Sequence, residues 1–143
     1  MLIRRLTMQD IPAVVEIENQ CFSLPWSQKS FEDSLTREDT IFLVCEDEVI
    51  TGYMGMYLSF EEASVTNVAV SPDLRKKGYG EALVAAAKEE AKAIGAECIF
   101  LEVRKSNIPA ISLYKKLGFE ELGIRKKFYE HPVEDAIIMK VGI

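Results

Sequence analysis

Residues 67–97 constrain the fold more than any other part of the chain, because they join an apolar strand to a long helix through a basic, glycine-rich loop. Pro72 ends the strand, since proline cannot donate a hydrogen bond to a β-ladder. Alanines with interleaved Glu and Lys residues make 80–93 a strong helix, which Gly95 ends. The apolar segment 98–103 follows at once, which predicts two neighbouring parallel strands joined by this helix.

The loop 75–80 has the composition of an anion-binding site. Gly78 and Gly80 let the backbone approach a ligand closely, and the helix behind them offers unpaired N–H donors and a partial positive charge. Full positive charge comes from Arg75, Lys76 and Lys77. The spacing fits neither a Walker loop nor the dinucleotide-binding fingerprint. We therefore expect a diphosphate here, and a plain helix-capping loop is the alternative.

Further periodicities complete an α/β pattern in a chain of 143 residues, the size of one domain. The other predicted strands are 2–6, 41–45, 49–58, 63–70, 119–124 and 136–141. Asp10 is the expected cap of a first helix, with Pro12 just inside it, and Ser27 caps a second. A further helix begins at Asn107 and ends near Gly118. We expect a single α/β domain over residues 1–143 with a mixed sheet.

The overall charge argues against several classes of partner. A net charge of −6 and a pI near 4.9 do not suit a broad nucleic-acid-binding face. No apolar run approaches the ~20 residues that a membrane helix needs, and the N-terminus lacks the apolar region of a signal peptide. We therefore expect a cytoplasmic protein that binds neither nucleic acid nor membrane.

The three cysteines, Cys21, Cys45 and Cys98, are far apart in sequence and odd in number. This spacing predicts neither a disulfide framework nor a zinc site, so we expect no metal. Cys45 and Cys98 lie in apolar strands, where a buried, inert thiol is the expectation. The single histidine, His131, is expected in a surface loop.

Several segments, taken together with the basic loop, resemble the GCN5-related N-acetyltransferase (GNAT) superfamily. They are Phe22-Ser-Leu-Pro-Trp-Ser27, Leu101-Glu-Val-Arg104, Asn107-x-x-Ala-Ile-x-Leu-Tyr114-x-x-Leu-Gly-Phe119, and Tyr129 before Glu134-Asp-Ala-Ile-Ile-Met139. The resemblance runs in order along nearly the whole chain, and it is greatest to the ribosomal-protein alanine N-acetyltransferases. It implies the GNAT fold, a single domain with a central mixed, mostly antiparallel sheet flanked by helices.

The same resemblance implies acetyl-CoA as co-substrate, with no metal, and acetyl transfer to an amine. It places the pyrophosphate on the basic loop and the pantetheine along the backbone of 68–70, where it pairs like an added strand. The implied cofactor-binding residues are Val68, Ala69, Val70, Arg75, Lys76, Lys77, Gly78, Tyr79, Gly80, Glu81 and Asn107. Tyr79 replaces an aliphatic residue frequent in the family, and its side chain is expected to point outward.

Glu102 is the candidate general base, because a carboxylate in the otherwise apolar segment 99–103 is costly without a purpose or a partner. The alternative is a strand-end glutamate paired with Arg104 or a lysine. The resemblance assigns Tyr114 to protonate the departing thiolate, and a core or interface tyrosine is the alternative. A protein α-amine, with a reference pKa of about 7.7–8.0 against about 10.4 for lysine, is the easier amine to deprotonate at neutral pH.

The resemblance also places Trp26, Tyr129 and Glu134 near the acceptor peptide. The alternatives are a Trp26 that seals the core and a Tyr129 that only ends a strand. Glu61, Glu62 and Glu134 could attract a basic substrate such as a ribosomal protein. The expected activity is acetylation of a protein N-terminus, that of an alanine in a small-subunit ribosomal protein. Acetylation of a small amine or lysine, or CoA binding without catalysis, are the alternatives, and the choice between monomer and weak dimer stays open.

Overall fold

Seven strands form one sheet in the computed structural model, which describes every residue from Met1 to Ile143. They are β1 (Leu2–Arg5), β2 (Thr40–Asp47), β3 (Val49–Ser59), β4 (Glu62–Val70), β5 (Cys98–Arg104), β6 (Glu120–Tyr129) and β7 (Glu134–Gly142). Their order across the sheet is β1-β2-β3-β4-β5-β7-β6. Every neighbouring pair is antiparallel except β4 and β5. The predicted mixed, mostly antiparallel sheet of an α/β fold is confirmed.

Four helices flank the sheet: α1 (Ile11–Cys21), α2 (Gln28–Leu35), α3 (Tyr79–Ala93) and α4 (Ile108–Lys116). Two of the predicted caps are confirmed. The Ser27 hydroxyl accepts from the Ser30 N–H at 3.1 Å, and the Asn107 side chain accepts from the Ala110 N–H at 3.3 Å. Each bond satisfies one of the N–H groups that a helix start leaves without an internal partner.

Asp10 stands just before α1, as predicted, but its side chain does not cap that helix. The carboxylate accepts instead from the Thr7 N–H at 2.8 Å and from Arg4 Nη1 at 2.7 Å. It therefore closes the short 3₁₀ turn Met8–Asp10 that precedes α1 and ties it to β1. The prediction was wrong about the side chain because the nearby Thr7 N–H and Arg4 compete for the same oxygens.

Strand β6 runs five residues past its predicted end at 124. Its pairing with β7 is irregular, with Arg125 opposite Ala136 and Tyr129 opposite Glu134. Between these pairs the Lys127 N–H donates a hydrogen bond to the Asp135 carboxylate at 2.9 Å. This basic stretch lacks apolar alternation, which explains why it did not read as a strand.

Two apolar cores lie on opposite faces of the sheet. The larger core packs α3 and α4 against the sheet, and the smaller one packs α1 and α2 against β2, β3 and β4. No residue of β5, β6 or β7 belongs to the smaller core. This face of β5 and β7 thus has no helix above it, and we call it the open face; it carries Phe100, Glu102, Ile138 and Lys140.

The parallel strands β4 and β5 separate after three paired residues, the last pair being Ser64 with Phe100. At the same level β4 has one extra residue against β3, since Gly55 faces Asn67 while Met56 faces Val65. Such a bulge bends its strand. The gap that opens between residues 65–70 of β4 and 101–104 of β5 is called the β4–β5 cleft below. The predicted strand-helix-strand unit around α3 is confirmed, and the cleft lies at its end.

Candidate active site

One wall of the β4–β5 cleft is a strand edge without a partner. Residues 68–70 pair with β3 on one side, with Met54 opposite Val68 and Gly52 opposite Val70. On the other side β5 has already moved away. An extended ligand that carries amides can pair with such an edge as an added strand. The backbone that was predicted to hold pantetheine therefore has no partner strand on this side, and only the Val70 carbonyl there is reached by side chains, those of Arg75 and Cys21.

The basic loop 75–80 leads from this edge into α3. Gly78 precedes the helix at φ +87°, and Lys76 also takes a left-handed conformation at φ +64°. The first N–H groups of the 15-residue helix α3 have no partner within the helix. Lys76 and Lys77 are exposed beside them. The loop thus brings unpaired donors and positive charge together, as an anion site requires.

Arg75 anchors the loop to its surroundings. Its Nε donates to the Val70 carbonyl at 3.2 Å, and its Nη2 lies 3.2 Å from the Cys21 sulfur at the end of α1. The Tyr79 hydroxyl donates to Asp47 at 2.8 Å, so this side chain points away from the loop, as expected. Arg75 therefore joins the end of β4 to α1.

Two residues predicted near the cofactor have structural partners on α4. Glu81 of α3 forms an ion pair with Lys116 at 3.1 Å, which links the two long helices. Asn107 caps α4 and leaves its own side chain exposed at the start of that helix.

Glu102 lies on the open face, and about a third of its side chain (32%) is exposed. Arg125 of β6 is its counter-ion, with Nη1 3.7 Å from Oε1. Arg104 pairs with Glu134 instead, so the suggested Glu102–Arg104 pair is wrong. The carboxylate faces a shallow hollow of about 230 Å³ that is lined by Ser64, Val65, Phe100, Arg125 and Ile138 among others. A ligand can reach Glu102 without displacing a helix.

Tyr114 lies on α4, in the larger core and opposite the open face. Its ring packs on Phe119 with the centroids 5.6 Å apart. The hydroxyl has no hydrogen-bond partner in the chain. It keeps some exposure to solvent, since only one fully buried side-chain polar atom lacks a partner, and that atom is Asn67 Oδ1. Burial, with a smaller contribution from Tyr129, raises the pKa of Tyr114 above its usual value. The phenol therefore stays protonated at neutral pH.

Tyr129 ends β6 near both predicted catalytic groups. The guanidinium carbon of Arg104 lies 4.5 Å from its ring centre. Burial, with the negative charge of Glu102 second, raises the pKa of Tyr129 to about 12. Tyr129 in turn contributes to the raised pKa of Tyr114. Tyr129 does end its strand and also lies within electrostatic reach of both Glu102 and Tyr114, so its role at the acceptor stays a prediction.

Glu134 is held by other residues of the chain. Its carboxylate accepts from the Ser106 N–H at 2.6 Å and from Arg104 Nη1 at 3.2 Å. The hydrogen bonding from Ser106, with Arg104 adding its charge, lowers the pKa of Glu134. The residue predicted to contact substrate therefore fastens the loop after β5 to the start of β7.

Trp26 lies in the loop 22–27 between α1 and α2, which we call the Trp26 loop. Its ring contacts Phe31 and Phe42, at centroid distances of 5.3 and 6.1 Å. The side chain is only partly buried. The suggested sealing role is therefore present, and the remaining exposed part of the ring is available to a ligand.

Sequence reasoning missed Glu18, Tyr53 and Arg125 around this site. The signal for Glu18 was available, because it follows Val14 by four residues and Ile11 by seven, on the buried stripe of α1. A carboxylate on such a stripe needs partners. Arg125 had no local signal, since its contact with Glu102 depends on the pairing of β5, β7 and β6.

The other expectations about single residues concern the cysteines and His131. Cys45 and Cys98 are buried, as predicted, and Cys21 is partly exposed. His131 is exposed in the connection between β6 and β7, also as predicted.

No three His, Cys, Asp or Glu side chains are grouped closely enough to hold a metal ion. None of the four helices is both long enough and apolar enough to span a bilayer.

Comparison with known proteins agrees with this geometry. Residues 11–119 match the acetyltransferase (GNAT) family. A Bacillus subtilis (strain 168) protein, provisionally named a ribosomal protein bS18-alanine N-acetyltransferase, is 41% identical over 99% of this chain and 95% of its own length. The ribosomal protein bS18-alanine N-acetyltransferase of Escherichia coli (strain K12) is 35% identical over 99% of this chain and 97% of its own.

A solved structure shows the same fold. The crystal structure of the ribosomal-protein-S18-alanine N-acetyltransferase from Escherichia coli superposes with a TM-score of 0.90 at 34% identity, over 99% of this chain and 93% of that one. The agreement extends over nearly the whole length of both chains. The chain therefore belongs to the acetyltransferase (GNAT) family, whose enzymes take their acetyl group from acetyl-CoA.

Proposed function

We propose that this enzyme transfers an acetyl group from acetyl-CoA to the α-amine of a protein N-terminus, that of the N-terminal alanine of ribosomal protein bS18. The observation that carries the proposal is the end-to-end similarity to the Escherichia coli enzyme named for that reaction, at 35% identity over 99% of this chain. No helix covers the open face around Glu102, so the end of a peptide can approach this carboxylate, which supports the proposal.

In this proposal the basic loop and the first turn of α3 hold the pyrophosphate. The unpaired N–H groups of α3 donate to its oxygens, and Lys76 and Lys77 add charge from the exposed side. Arg75 keeps Nη1 free for a phosphate oxygen, because its Nε and Nη2 already have partners. The free edge of residues 68–70 pairs with the amides of pantetheine.

Glu102 removes a proton from the acceptor ammonium, directly or through one water. The freed amine nitrogen then forms a bond to the acetyl carbon, and the bond from that carbon to sulfur breaks. The second proton that the nitrogen gives up ends on the CoA sulfur, which leaves as the thiol. Glu102 and Tyr114 lie on opposite faces of the sheet, so a substrate that reaches both must extend through the β4–β5 cleft. Acceptor and donor thus enter from different sides, which brings the amine to the thioester carbonyl.

Tyr114 donates a hydrogen bond to the leaving sulfur. A thiol has a reference pKa of about 8.5, and burial raises the pKa of this phenol above about 10, so complete proton transfer from Tyr114 is uphill. Its main contribution is then stabilisation of the charge that develops on sulfur. A single donor of this kind is worth about 10²–10³ in kcat.

The acceptor side of the cleft has the chemistry to receive a basic peptide end. Trp26 and Tyr129 offer aromatic surface that is partly exposed, and Glu61 and Glu62 are exposed at the turn between β3 and β4. The chain carries a net charge of −6. Such a surface attracts a cationic N-terminal segment over distances of about a Debye length, so binding should weaken as salt rises.

Thiol release from acetyl-CoA, measured with two peptides, tests the proposal. The first begins with a free alanine and continues with basic residues. The second has the same sequence with a blocked N-terminus and an internal lysine. Turnover with the first alone, with the product mass locating the acetyl group on the α-amine, is the expected result. Turnover with the second would make the enzyme a lysine acetyltransferase. Acetyl-CoA binding without turnover of either would leave a small-amine substrate or a non-catalytic role.

A further inference from the structure

A buried polar cluster lies beneath the Trp26 loop, outside the proposed chemistry. It consists of Glu18 of α1, Tyr53 of β3 and Asn67 of β4, and we call it the Glu18 cluster. These residues are 2%, 0% and 6% exposed. An ionised carboxylate is costly in such a place unless every oxygen has a donor, so the partners of Glu18 indicate its role.

Both oxygens of Glu18 are used, and each reaches a different element. The Tyr53 hydroxyl donates to Oε1. The backbone N–H of Trp26 donates to Oε2 at 2.8 Å. One buried carboxylate thus joins α1, β3 and the Trp26 loop. Hydrogen bonds to a charged acceptor are stronger and more directional than neutral ones, so they fix the position of a loop well.

The cluster continues to the strand that lines the cleft. Asn67 stands opposite Gly55, two residues along β3 from Tyr53, so its buried side chain lies on the same face of the sheet as the phenol. It opposes the rise in the phenol's pKa that burial causes. Asn67 is on β4 at the bulge, next to Val68, the first residue of the free edge. The Glu18 cluster therefore connects the Trp26 loop to the part of β4 that moves away from β5.

The Trp26 loop itself has few other attachments. Phe22 and Leu24 are 41% and 61% exposed, so their apolar side chains project into solvent. The ring of Trp26 packs on Phe31 and Phe42, but its backbone is tied down through Glu18. A loop that presents apolar side chains to a ligand recognises it consistently only when its backbone is held.

We propose that Glu18 is a positioning residue for the acceptor: through Trp26 N–H and Tyr53 it holds the Trp26 loop at a set distance from β4 and so shapes the acceptor end of the β4–β5 cleft. This inference rests on the proposed function in one respect, that the acceptor binds beside this loop. Glu18 forms no hydrogen bond with the basic loop 75–80 or with Glu102. Its loss should therefore affect binding of the acceptor more than the rate of acetyl transfer.

Three variants test the inference. Glu18→Gln keeps the shape but removes the charge and replaces one acceptor oxygen by a donor, so neither bond is charge-assisted any longer and at most one keeps its present donor and acceptor. Tyr53→Phe removes one donor and leaves the ring packing intact. Glu16→Gln is the matched control, because it is the same substitution at an exposed position of α1.

The loop position has its own reporter, since Trp26 is the only tryptophan in the chain. In Glu18→Gln we expect Trp26 fluorescence to shift to longer wavelength and to be quenched more strongly by acrylamide. Tyr53→Phe should change both properties in the same direction but by less. With the alanine peptide, KM should rise about tenfold in Glu18→Gln, the effect of one charge-assisted hydrogen bond. The kcat value and the KM for acetyl-CoA should stay close to those of the control.

The outcomes separate this inference from the proposed function. Fluorescence and peptide KM in Glu18→Gln equal to those of Glu16→Gln would overturn it, as would a loss confined to kcat. If Glu18→Gln fails to fold by circular dichroism, Tyr53→Phe decides the question by the same two measurements. A wild-type enzyme inactive on the peptide would overturn the proposed function and the acceptor role together, while Trp26 fluorescence would still decide whether Glu18 holds the loop.

Discussion

Glu102 differs from its neighbours on β5 in a way that only a functional or an ionic role explains. Leu101 and Val103 on either side are buried in the larger core, whereas Glu102 points to the open face. Its one counter-ion, Arg125, is 3.7 Å away and more than half exposed. Exposed pairs of this kind contribute little to stability, about 0–1 kcal/mol. The carboxylate is thus free to exchange Arg125 for an incoming ammonium.

Replacing Glu102 by Gln should lower kcat/KM for the alanine peptide by about 10²–10⁴, because a general base is lost while the shape is kept. Acetyl-CoA affinity should not change. Glu120→Gln is the control, an exposed glutamate on the same face of the sheet. Steady-state rates from pH 6 to pH 9 measure the effect. Activity equal to that of the control over this range would remove Glu102 as the base.

Tyr114→Phe should lower kcat by about 10²–10³ with little change in the KM for acetyl-CoA, since only the donor to the leaving sulfur is lost. Burial raises the pKa of Tyr114 above 10, so the phenol keeps its proton throughout pH 6–9. The pH profiles of wild type and variant should therefore run parallel in that range. Tyr57→Phe, at an exposed tyrosine, is the control. A loss of acetyl-CoA affinity without a fall in kcat would make Tyr114 a binding residue.

At the scale of elements, the free edge of β4 depends on close packing against β3. A Cβ at Gly52 would lie 2.7 Å from the Ala69 carbonyl oxygen and 3.1 Å from a methyl group of Val70. Backbone atoms cannot give way as a side-chain end can. Glycine at this position lets β3 lie close behind the strand edge that the donor is proposed to use.

Gly52→Ala should therefore displace residues 69–70 and weaken acetyl-CoA binding about tenfold, with a loss of about 1–3 kcal/mol in stability from overpacking. Titration calorimetry with acetyl-CoA and urea unfolding provide the two measurements. Gly142→Ala is the matched control, because a Cβ there meets nothing within 4 Å. Normal acetyl-CoA affinity in a destabilised Gly52→Ala protein would show that this edge does not bind the donor.

At the scale of the whole molecule, the Arg4–Asp10 pair joins the first strand to the first helix. Asp10 is 8% exposed and accepts from both Arg4 and Thr7. The hydrogen bond from Arg4, with those of Thr7, holds the pKa of Asp10 at about 2. The folded-state pKa is thus depressed, so the pair stabilises the protein above the unfolded value, near 3.9, and loses that effect as pH falls through about 2.

Asp10→Asn should cost about 1–3 kcal/mol at pH 7, as expected for charge-assisted hydrogen bonds that are partly buried. The difference from wild type should narrow at pH 3 and be smallest at pH 2, where about half of Asp10 in the folded protein is protonated. Urea unfolding at the three pH values measures it. The control is Asp33→Asn, which removes an exposed ion pair within α2 and should change stability little at any of the three pH values. A difference for Asp10→Asn that stays constant with pH would show that charge on Asp10 is not the cause.

The order of strands and helices could be predicted because it depends on local features. Ser27 and Asn107 cap helices within three residues of themselves, and glycines end α3 and α4 where left-handed backbone is needed. The second half of β6 could not be predicted, since its basic residues are ordered by pairing with β7 and by the bond from the Lys127 N–H to Asp135. Asp10 was placed correctly and given the wrong partner, because the Thr7 N–H and Arg4 compete for its oxygens.

The sequence by itself determined the strand-loop-helix unit around residues 67–93 and the grouping of basic residues and glycines in its loop, because those properties arise from neighbours along the backbone. The order of its motifs also indicated the family of the chain. Only the tertiary structure decided that Glu102 pairs with Arg125, that Arg104 pairs with Glu134, and that Glu18 meets Tyr53 and Trp26. Except for the contact between Glu18 and Trp26, eight residues apart, each of these contacts joins elements distant in sequence. The opening of β4 from β5 belongs to the same group, because a bulge is defined by the strand opposite it and not by the strand that carries it.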